Sequence, residues 1–227
     1  MCGRFVQSSD PRVLAGRFEF SETKIRIFDA RPRYNVAPSQ RVYAVRLDET
    51  GERELVSLTW GLLPSWAKEP KTGYSTINAR AETVEEKPAF RKPFRKRRCL
   101  IPADAFYEWK KESGGKQPYW IGLKSGEPFA FAGLWDRWHA ESQVIESCTI
   151  VVTGTNRLLQ EIHDRMPVIL ATDRYDEWLD PQTTPEVAKA LLVPYDADAM
   201  RCYPVSRRVN SPRNDDASLV EPLNMSG

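Results

Sequence analysis

Over the first 154 residues the chain is punctuated by short apolar runs. Segments at residues 41–46 (RVYAVR), 54–60 (ELVSLTW), 98–101 (RCLI), 118–123 (PYWIGL), 129–135 (FAFAGLW) and 147–154 (SCTIVVTG) are rich in Val, Ile, Tyr, Phe and Trp. Gly, Pro or charged turns separate them, which is the pattern of half-buried and buried strands. Residues 105–110 (AFYEWK) read the same way, with Phe106 and Glu108 on one face and Tyr107 and Trp109 on the other. Residues 111–116 (KESGGK) read as a hairpin tip and Ser125-Gly126 as a turn. Helical signals are fewer. Asp10-Pro11 and Thr184-Pro185 each place a capping side chain before a proline suited to the first helical position. Short helices are expected after Asp10, at 156–162 behind a Thr155 cap, at 172–179 and at 184–192. There are no repeats, no alternating βαβ units and no glycine-rich phosphate loop. The expectation is an α+β fold: a single domain built on a mostly antiparallel, barrel-like β-sheet with peripheral short helices. The domain should span residues 1–210. Residues 211–227, with their Pro, Asn, Asp and Ser, should form a loosely ordered tail.

A chain of 227 residues, 41% hydrophobic and 28% charged, can bury a substantial core. Its net charge of +2 is too small to imply a nucleic-acid partner by itself, so local clusters matter more. The basic stretch at 91–98 (RKPFRKRR) either tracks a phosphate backbone or is a solvated face. No apolar run is long enough to span a membrane. The start, MCGRFVQSSDPRV, lacks the basic and apolar segments of a secretory signal, so a cytoplasmic protein with reduced thiols is expected. Cysteines at 2, 99, 148 and 202 form no C-x-x-C pair, so neither a zinc knuckle nor a redox motif is supported, and no metal or cofactor is expected.

Several residues could carry chemistry. Removal of Met1 would leave Cys2 with an amine and a thiol on adjacent carbons. Their ordinary pKa values, about 7.7–8.0 and about 8.5, leave some of each nucleophilic near neutral pH. Such an aminothiol attacks an aldehyde twice, first through nitrogen and then, by an intramolecular closure, through sulfur. Taken alone, Cys2 is equally an idle N-terminal residue. Asn78 and Arg80 (in STINARAET) combine an amide with a phosphate-matching fork, or else form a turn with surface charge. Glu108, alternating into an apolar strand, either faces water or is a buried acid–base group. His163 precedes Asp164-Arg165-Met166-Pro167 at an expected helix end, where it is either a proton donor or structural. Trp66, and the 34–38 segment ending in Pro38, could present flat or wedge-like surfaces to bases, although Trp66 also suits a core.

In order, Met1-Cys2-Gly3-Arg4-Phe5, Arg33 to Pro38, Trp60-Gly61-Leu62, Ile77 to Glu82, Phe106-Tyr107-Glu108-Trp109, Ile162 to Pro167 and Pro204-Val205-Ser206 make a motif set. It resembles the SOS-response-associated peptidase (SRAP) family across residues 2–209. The resemblance implies an SRAP fold that binds single-stranded DNA, at junctions with duplex, as a monomer. It also implies that abasic sites are shielded there in a thiazolidine DNA–protein crosslink during the DNA damage response, in the nucleoid if the source is bacterial. Carried onto this sequence, Cys2 is the nucleophile after Met1 is lost. Asn78 holds the sugar, Glu108 relays protons at the amine, and His163 assists sugar opening. Arg4, Arg80 and Arg165 contact phosphates, Thr153 lies near the site, and Pro38, Trp66 and Trp109 belong to the DNA surface. Trp66-Ala67 stands where some members have a Trp pair, and the loop at 68–75 is expected to be long, so junction preference is open. Two other classes stay open too. One is a thiol peptidase or autopeptidase using Cys2, His163 and Glu108, a hydrolase in name with lyase-like chemistry on DNA. The other is a non-covalent single-strand-binding module.

Overall fold

The computed structural model describes residues 2–27, 29–70, 74–141 and 143–223. Met1 and part of the loop at 68–75 therefore lie outside the described residues. The first half runs β1 (Phe5–Gln7), α1 (Pro11–Arg17), β2 (Ile25–Arg26), β3 (Arg33–Val36), β4 (Arg41–Leu47), β5 (Arg53–Trp60), β6 (Asn78–Arg80) and α2 (Pro88–Lys96). There follow β7 (Arg98–Ala103), β8 (Ala105–Glu112), β9 (Gly115–Leu123), β10 (Phe129–Ala140) and β11 (Gln143–Gly154). The chain ends with β12 (Arg165–Pro167), β13 (Ile169–Leu170), α3 (Tyr175–Leu179), α4 (Pro185–Ala190) and β14 (Met200–Pro204).

Strands β11, β10, β7, β4 and β5 pair in that order. Strand β5 then returns to β11 in parallel, with Thr59 opposite Ser147 and Trp60 opposite Cys148. That last pairing closes a five-stranded barrel and leaves none of the five with a free edge along its paired length. The second sheet, in the order β14-β9-β8-β1-β3, packs against the barrel. Phe131 from the barrel meets Phe5 and Phe106 from the second sheet edge to face, with centroids 5.7 and 6.0 Å apart. The barrel thus buries one side against a sheet and another beneath α1 to α4, whose Leu14, Phe18, Phe90, Phe94, Tyr175 and Trp178 join a separate apolar cluster. The expected α+β, barrel-like fold is what the chain adopts.

Local chemistry explains most element ends. Asp10 caps α1 by accepting the Arg12 N–H at 2.8 Å, and Thr184 caps α4 ahead of Pro185. The β8–β9 hairpin closes with Glu112 opposite Gly115, whose φ of +115° suits glycine. The expected helix at 156–162 is not one. Asn156, and not Thr155, accepts the N–H groups of Leu158 and Leu159, and the segment stays in successive turns. Residues 172–179 divide into a 3-10 turn and the five-residue α3. Asn78 to Arg80 form a strand leading into turns, where a turn with surface charge was one reading. Helix α2 was not anticipated. It contains Pro93, which ordinarily disfavours a helix interior, yet Phe90, Pro93 and Phe94 are buried together. Arg98, at its end, is buried and donates to the carbonyls of Phe94 (2.7 Å), Trp178 (2.5 Å) and Asp180.

The segment after residue 210 corrects the expectation of a loose tail as far as Leu223. Asp215 accepts the backbone N–H groups of Tyr34 (2.5 Å) and Asn35 (3.0 Å). The Asn35 amide donates to the carbonyls of Val209, Ser211 and Asn214. Leu219 is fully buried, and Val205 bridges to Pro222. Polar composition misled because those side chains cap and clamp the backbone, and do not merely face water. Residues 224–227 lie outside the described residues. Leu219→Ala should lower unfolding free energy by about 2–5 kcal/mol, read as a fall in the urea midpoint at unchanged slope. A loss below about 0.5 kcal/mol would contradict a packed strap.

Candidate active site

Strand β1 begins close to the start of the chain, so its pairing places that start. Phe5 lies opposite Phe106, Val6 opposite Ala105, and the Tyr107 N–H donates to the Arg4 carbonyl at 3.0 Å. Continuing this register brings Glu108 beside Gly3 and Cys2. Cys2 is fully buried in the apolar cluster between the sheets. Burial, reinforced by the Glu108 charge, pushes its thiol pKa far above the ordinary range, so the sulfur is protonated in this state. Glu108 is 4% exposed, and burial raises its pKa to about 7. Strand alternation sets this. Phe106 and Glu108 face the inter-sheet cluster, while Tyr107 and Trp109 pack with a third cluster on the other side.

An open cleft of about 440 Å³ is lined by Glu108, Trp109, Lys116, His163 and Asn210. A neighbouring cleft of about 450 Å³ shares Trp109, Lys116 and His163 and extends along Gln160 to Asp164. The structure therefore brings Glu108 and His163 to one opening. His163 Nδ1 accepts the Arg165 N–H at 3.0 Å, and the Asp164 carboxylate lies 2.8 Å from the same nitrogen. The neutral ring thus carries its proton on Nε2, whereas the imidazolium would turn its Nδ1–H to Asp164. Partial burial lowers the His163 pKa, Asp164 opposes that, and Lys116 adds to it. Near neutral pH the pair holds a carboxyl that gives or takes a proton beside an imidazole kept mostly neutral.

Most of the remaining residues lie on β6, β11 and β12. Strand β6 lies parallel to β11, with Asn78 opposite Ile150 and Arg80 opposite Val152. Strand β12 lies antiparallel to it, with Met166 opposite Thr153 and Arg165 opposite Gly154. The Asn78 amide nitrogen donates to the Ile77 carbonyl at 2.9 Å. Its Oδ1 is buried and accepts no hydrogen bond among the described residues, which suits a donor brought by a ligand. Thr153 is buried, and its hydroxyl donates to the Leu192 carbonyl at 3.1 Å. Arg165 pairs with Glu82, on which exposed Arg80 also acts. Arg4 donates to Asn35 Oδ1 (3.1 Å) and to the carbonyls of Val209 (2.9 Å) and Asn210 (3.4 Å), fastening the C-terminal strap.

Pro38 and Trp66 do not line these clefts. Pro38 is half-buried in the turn between β3 and β4. Trp66 is 65% exposed, which rules out the core reading. Lys116 and Asn210 line the cleft without having been anticipated. The hairpin register that pairs Lys111 with Lys116 was the available signal for the first. For the second it was the acceptor that Trp109 Nε1 needs, met by Asn210 Oδ1 at 2.7 Å.

Glu108 on β8 and His163, in the segment before β12, thus face one open cleft beside the buried Cys2 thiol. The family model described as SOS response associated peptidase (SRAP) matches residues 1–212, and the chain belongs to this family. It is 48% identical over 227 residues to the abasic site processing protein YoaM of Bacillus subtilis, covering 99% of each chain. It is 34% identical to the abasic site processing protein YedK of Escherichia coli, covering 98% of this chain and 100% of that one. A crystal structure of a protein from Bacteroides thetaiotaomicron matches with a TM-score of 0.84 at 28% identity, covering 97% and 99% of the two chains. Among the described residues no helix is long and apolar enough to cross a membrane, and no His, Cys, Asp and Glu group gathers that could hold a metal ion.

The raised pKa of Glu108 has a stability consequence. The folded state holds this proton more tightly than the unfolded chain does, so stability falls as pH rises from about 4.5 to about 7. The cost of the ionised form is about 3 kcal/mol above that window. Glu108→Gln should be the more stable protein at pH 8 and should lose that advantage below pH 5, by urea denaturation at each pH. A difference that is the same at both would refute the raised pKa.

Proposed function

We propose that this protein captures abasic sites in single-stranded DNA, forming a thiazolidine with Cys2 once residue 1 is removed, and so shields the site during the DNA damage response. It does so as a monomer and at junctions with duplex. The observation that carries the proposal is Glu108, buried near Cys2 with a pKa of about 7 and opening onto the same cleft as His163. Relatives named abasic site processing proteins support the choice of substrate.

The chemistry balances with the residues present. An abasic sugar is mostly a closed hemiacetal. Opening removes the proton from the C1′ hydroxyl and returns one to the ring oxygen, a transfer suited to His163. The Cys2 amine adds to the C1′ aldehyde, and loss of water gives an imine. The Cys2 sulfur then bonds to C1′ while its proton passes to nitrogen. Glu108 takes the ammonium proton first and returns one to the departing hydroxyl, which its pKa allows in both directions. One water leaves and no cofactor is consumed. With C1′ held as an N,S-acetal, no carbonyl or imine activates the strand for β-elimination. Removal of residue 1 frees the α-amine, and the intramolecular second step gives the thiol a large effective concentration despite its raised pKa. Asn78 offers its unfilled Oδ1 to the amine or sugar. Arg4, Arg80 and Arg165 hold flanking phosphates, with Arg4 and Arg165 exchanging internal partners to do so. Thr153 and Trp109 shape the walls, and Pro38 and Trp66 meet the bases beyond.

The test is a denaturing gel. Protein whose N-terminal residue is Cys2, verified by mass spectrometry, is mixed with a single-stranded oligonucleotide bearing one abasic site. A shifted band is expected without added reductant, absent for Cys2→Ala and for undamaged DNA. Glu108→Gln should form it roughly 100-fold more slowly while binding the oligonucleotide equally well. No band from the wild type would overturn the proposal.

A further inference from the structure

The β8–β9 hairpin carries a pairing that works against its own stability. Lys111 lies directly opposite Lys116, next to the closing pair of Glu112 and Gly115. Like charges directly opposite one another on neighbouring strands repel and destabilise the pairing. Nothing in the fold relieves this one. Both lysines are exposed, and among the described residues neither makes an ion pair. Lys110, one residue earlier, differs, since its ammonium lies 3.5 Å from the Glu161 carboxylate. A carboxylate at 111 or 116 would serve the hairpin better.

The pair does not stand on an open solvated face. Both lysines line the cleft of about 450 Å³ that runs along residues 160–164. Lys116 also lines the cleft of about 440 Å³ onto which Glu108 opens. It is thus a wall common to the candidate active site and to the groove that continues from it, and its charge reaches the His163 ring. Of the two carboxylates on the second cleft, Glu161 faces Lys110 and Asp164 lies 2.8 Å from His163 Nδ1, so neither is paired with Lys111 or Lys116. The neighbouring backbone is anchored. The Gln117 amide donates to the Val205 carbonyl at 2.8 Å, and the Val205 N–H donates to the Pro118 carbonyl at 3.0 Å. Two ammonium groups held across one strand pair can receive an anion between them, with charge-assisted hydrogen bonds from both sides. Lysine suits an anion that arrives in no fixed orientation, because its N–H donors rotate, whereas a guanidinium fork demands a set plane. A backbone phosphate of a single strand is such an anion.

We infer that Lys111 and Lys116 clamp one phosphate of the single strand where it passes from the Glu108–His163 cleft into the groove along residues 160–164. This inference rests on the DNA reading above and adds a phosphate subsite and the route of the strand away from the reacting sugar.

The test uses a single-stranded oligonucleotide in which a tetrahydrofuran residue replaces the abasic sugar. It has no aldehyde, so it sets the register without forming a crosslink. Each linkage in turn is made neutral as a methylphosphonate, and affinity is read by fluorescence anisotropy for wild type and for the full-length Lys111→Gln, Lys116→Gln variant. One linkage near the tetrahydrofuran should cost wild type roughly 10-fold when neutralised and cost the variant nothing, while linkages held by other side chains cost both proteins alike. On the unmodified strand the variant should bind about 10-fold more weakly at low salt, with a salt slope lower by about 0.7, the value for one phosphate. A fall of about 1.4 would give each lysine its own phosphate and overturn the clamp. The variant should melt no lower than wild type at low salt, because it loses a repulsion. A lower melting temperature would make the pair part of the hairpin's own structure and overturn the inference. If wild type binds the strand and the substitutions leave its linkage profile unchanged, this inference alone fails; if wild type does not bind, the DNA reading fails and the inference with it. The probe cannot crosslink, so the result stands even if the gel shows no band.

Discussion

Strand β11 has two edges and four further partners, and the molecule is organised by how it shares them. One edge runs beside β10 as far as Ile150 and is then taken over by β12 from Val152. The other lies against β5 at Ser147 and Cys148, then against β6 from Ile150 to Val152. The first half of the strand closes the barrel. The second half opens it, because new partners replace the barrel strands on both sides. Asn78, Arg80, Thr153 and Arg165 are all carried by this second half or its partners. Arg46 reinforces the closed half, reaching Glu54 on β5 at 2.8 Å and Glu146 on β11 at 2.9 Å while lying 4.2 Å from the Trp135 ring centroid. Cys2 lies apart from both halves, in the apolar cluster between the barrel and the second sheet.

Stability and chemistry pull in opposite directions around the cleft. Burying Glu108 in an apolar cluster is unfavourable, as is leaving Asn78 Oδ1 without a donor. Neither improves the fold. Both make sense as a surface prepared for a group that brings a proton or a hydrogen-bond donor. The aromatic contacts around Phe5, with Trp60 at 5.2 Å and Phe131 at 5.7 Å, hold the strand next to this site in register. Packing there bears on the position of Cys2 as well as on stability.

Much of this was legible in the sequence. Strand alternation assigned Phe106 and Glu108 to one face, and the six apolar runs all became strands. The order of motifs identified the family without any single motif being decisive. What stayed hidden depended on tertiary partners. Helix α2 was concealed by Pro93, because the contacts that stabilise it lie far away in the sequence. The polar strap after residue 210 resembled a tail because its hydrogen bonds run to Asn35 and Tyr34 on β3. Lys116 and Asn210 belong to the cleft through a hairpin register and an indole partner, neither of which a local pattern reveals. Trp66 could be assigned to core or surface only once its exposure was known.

The strap has a consequence for the order of events in synthesis. Arg4 is fastened by carbonyls 205 and 206 residues further along the chain, which are made well after it. At roughly 5–20 residues per second, those partners follow the N-terminal segment by about 10–40 s. Until then the segment carrying Cys2 lacks its clasp. The segment around Cys2 thus gains this clasp only after Val209 and Asn210 have been made, so its fixing is coupled to the folding of a part of the chain distant in sequence.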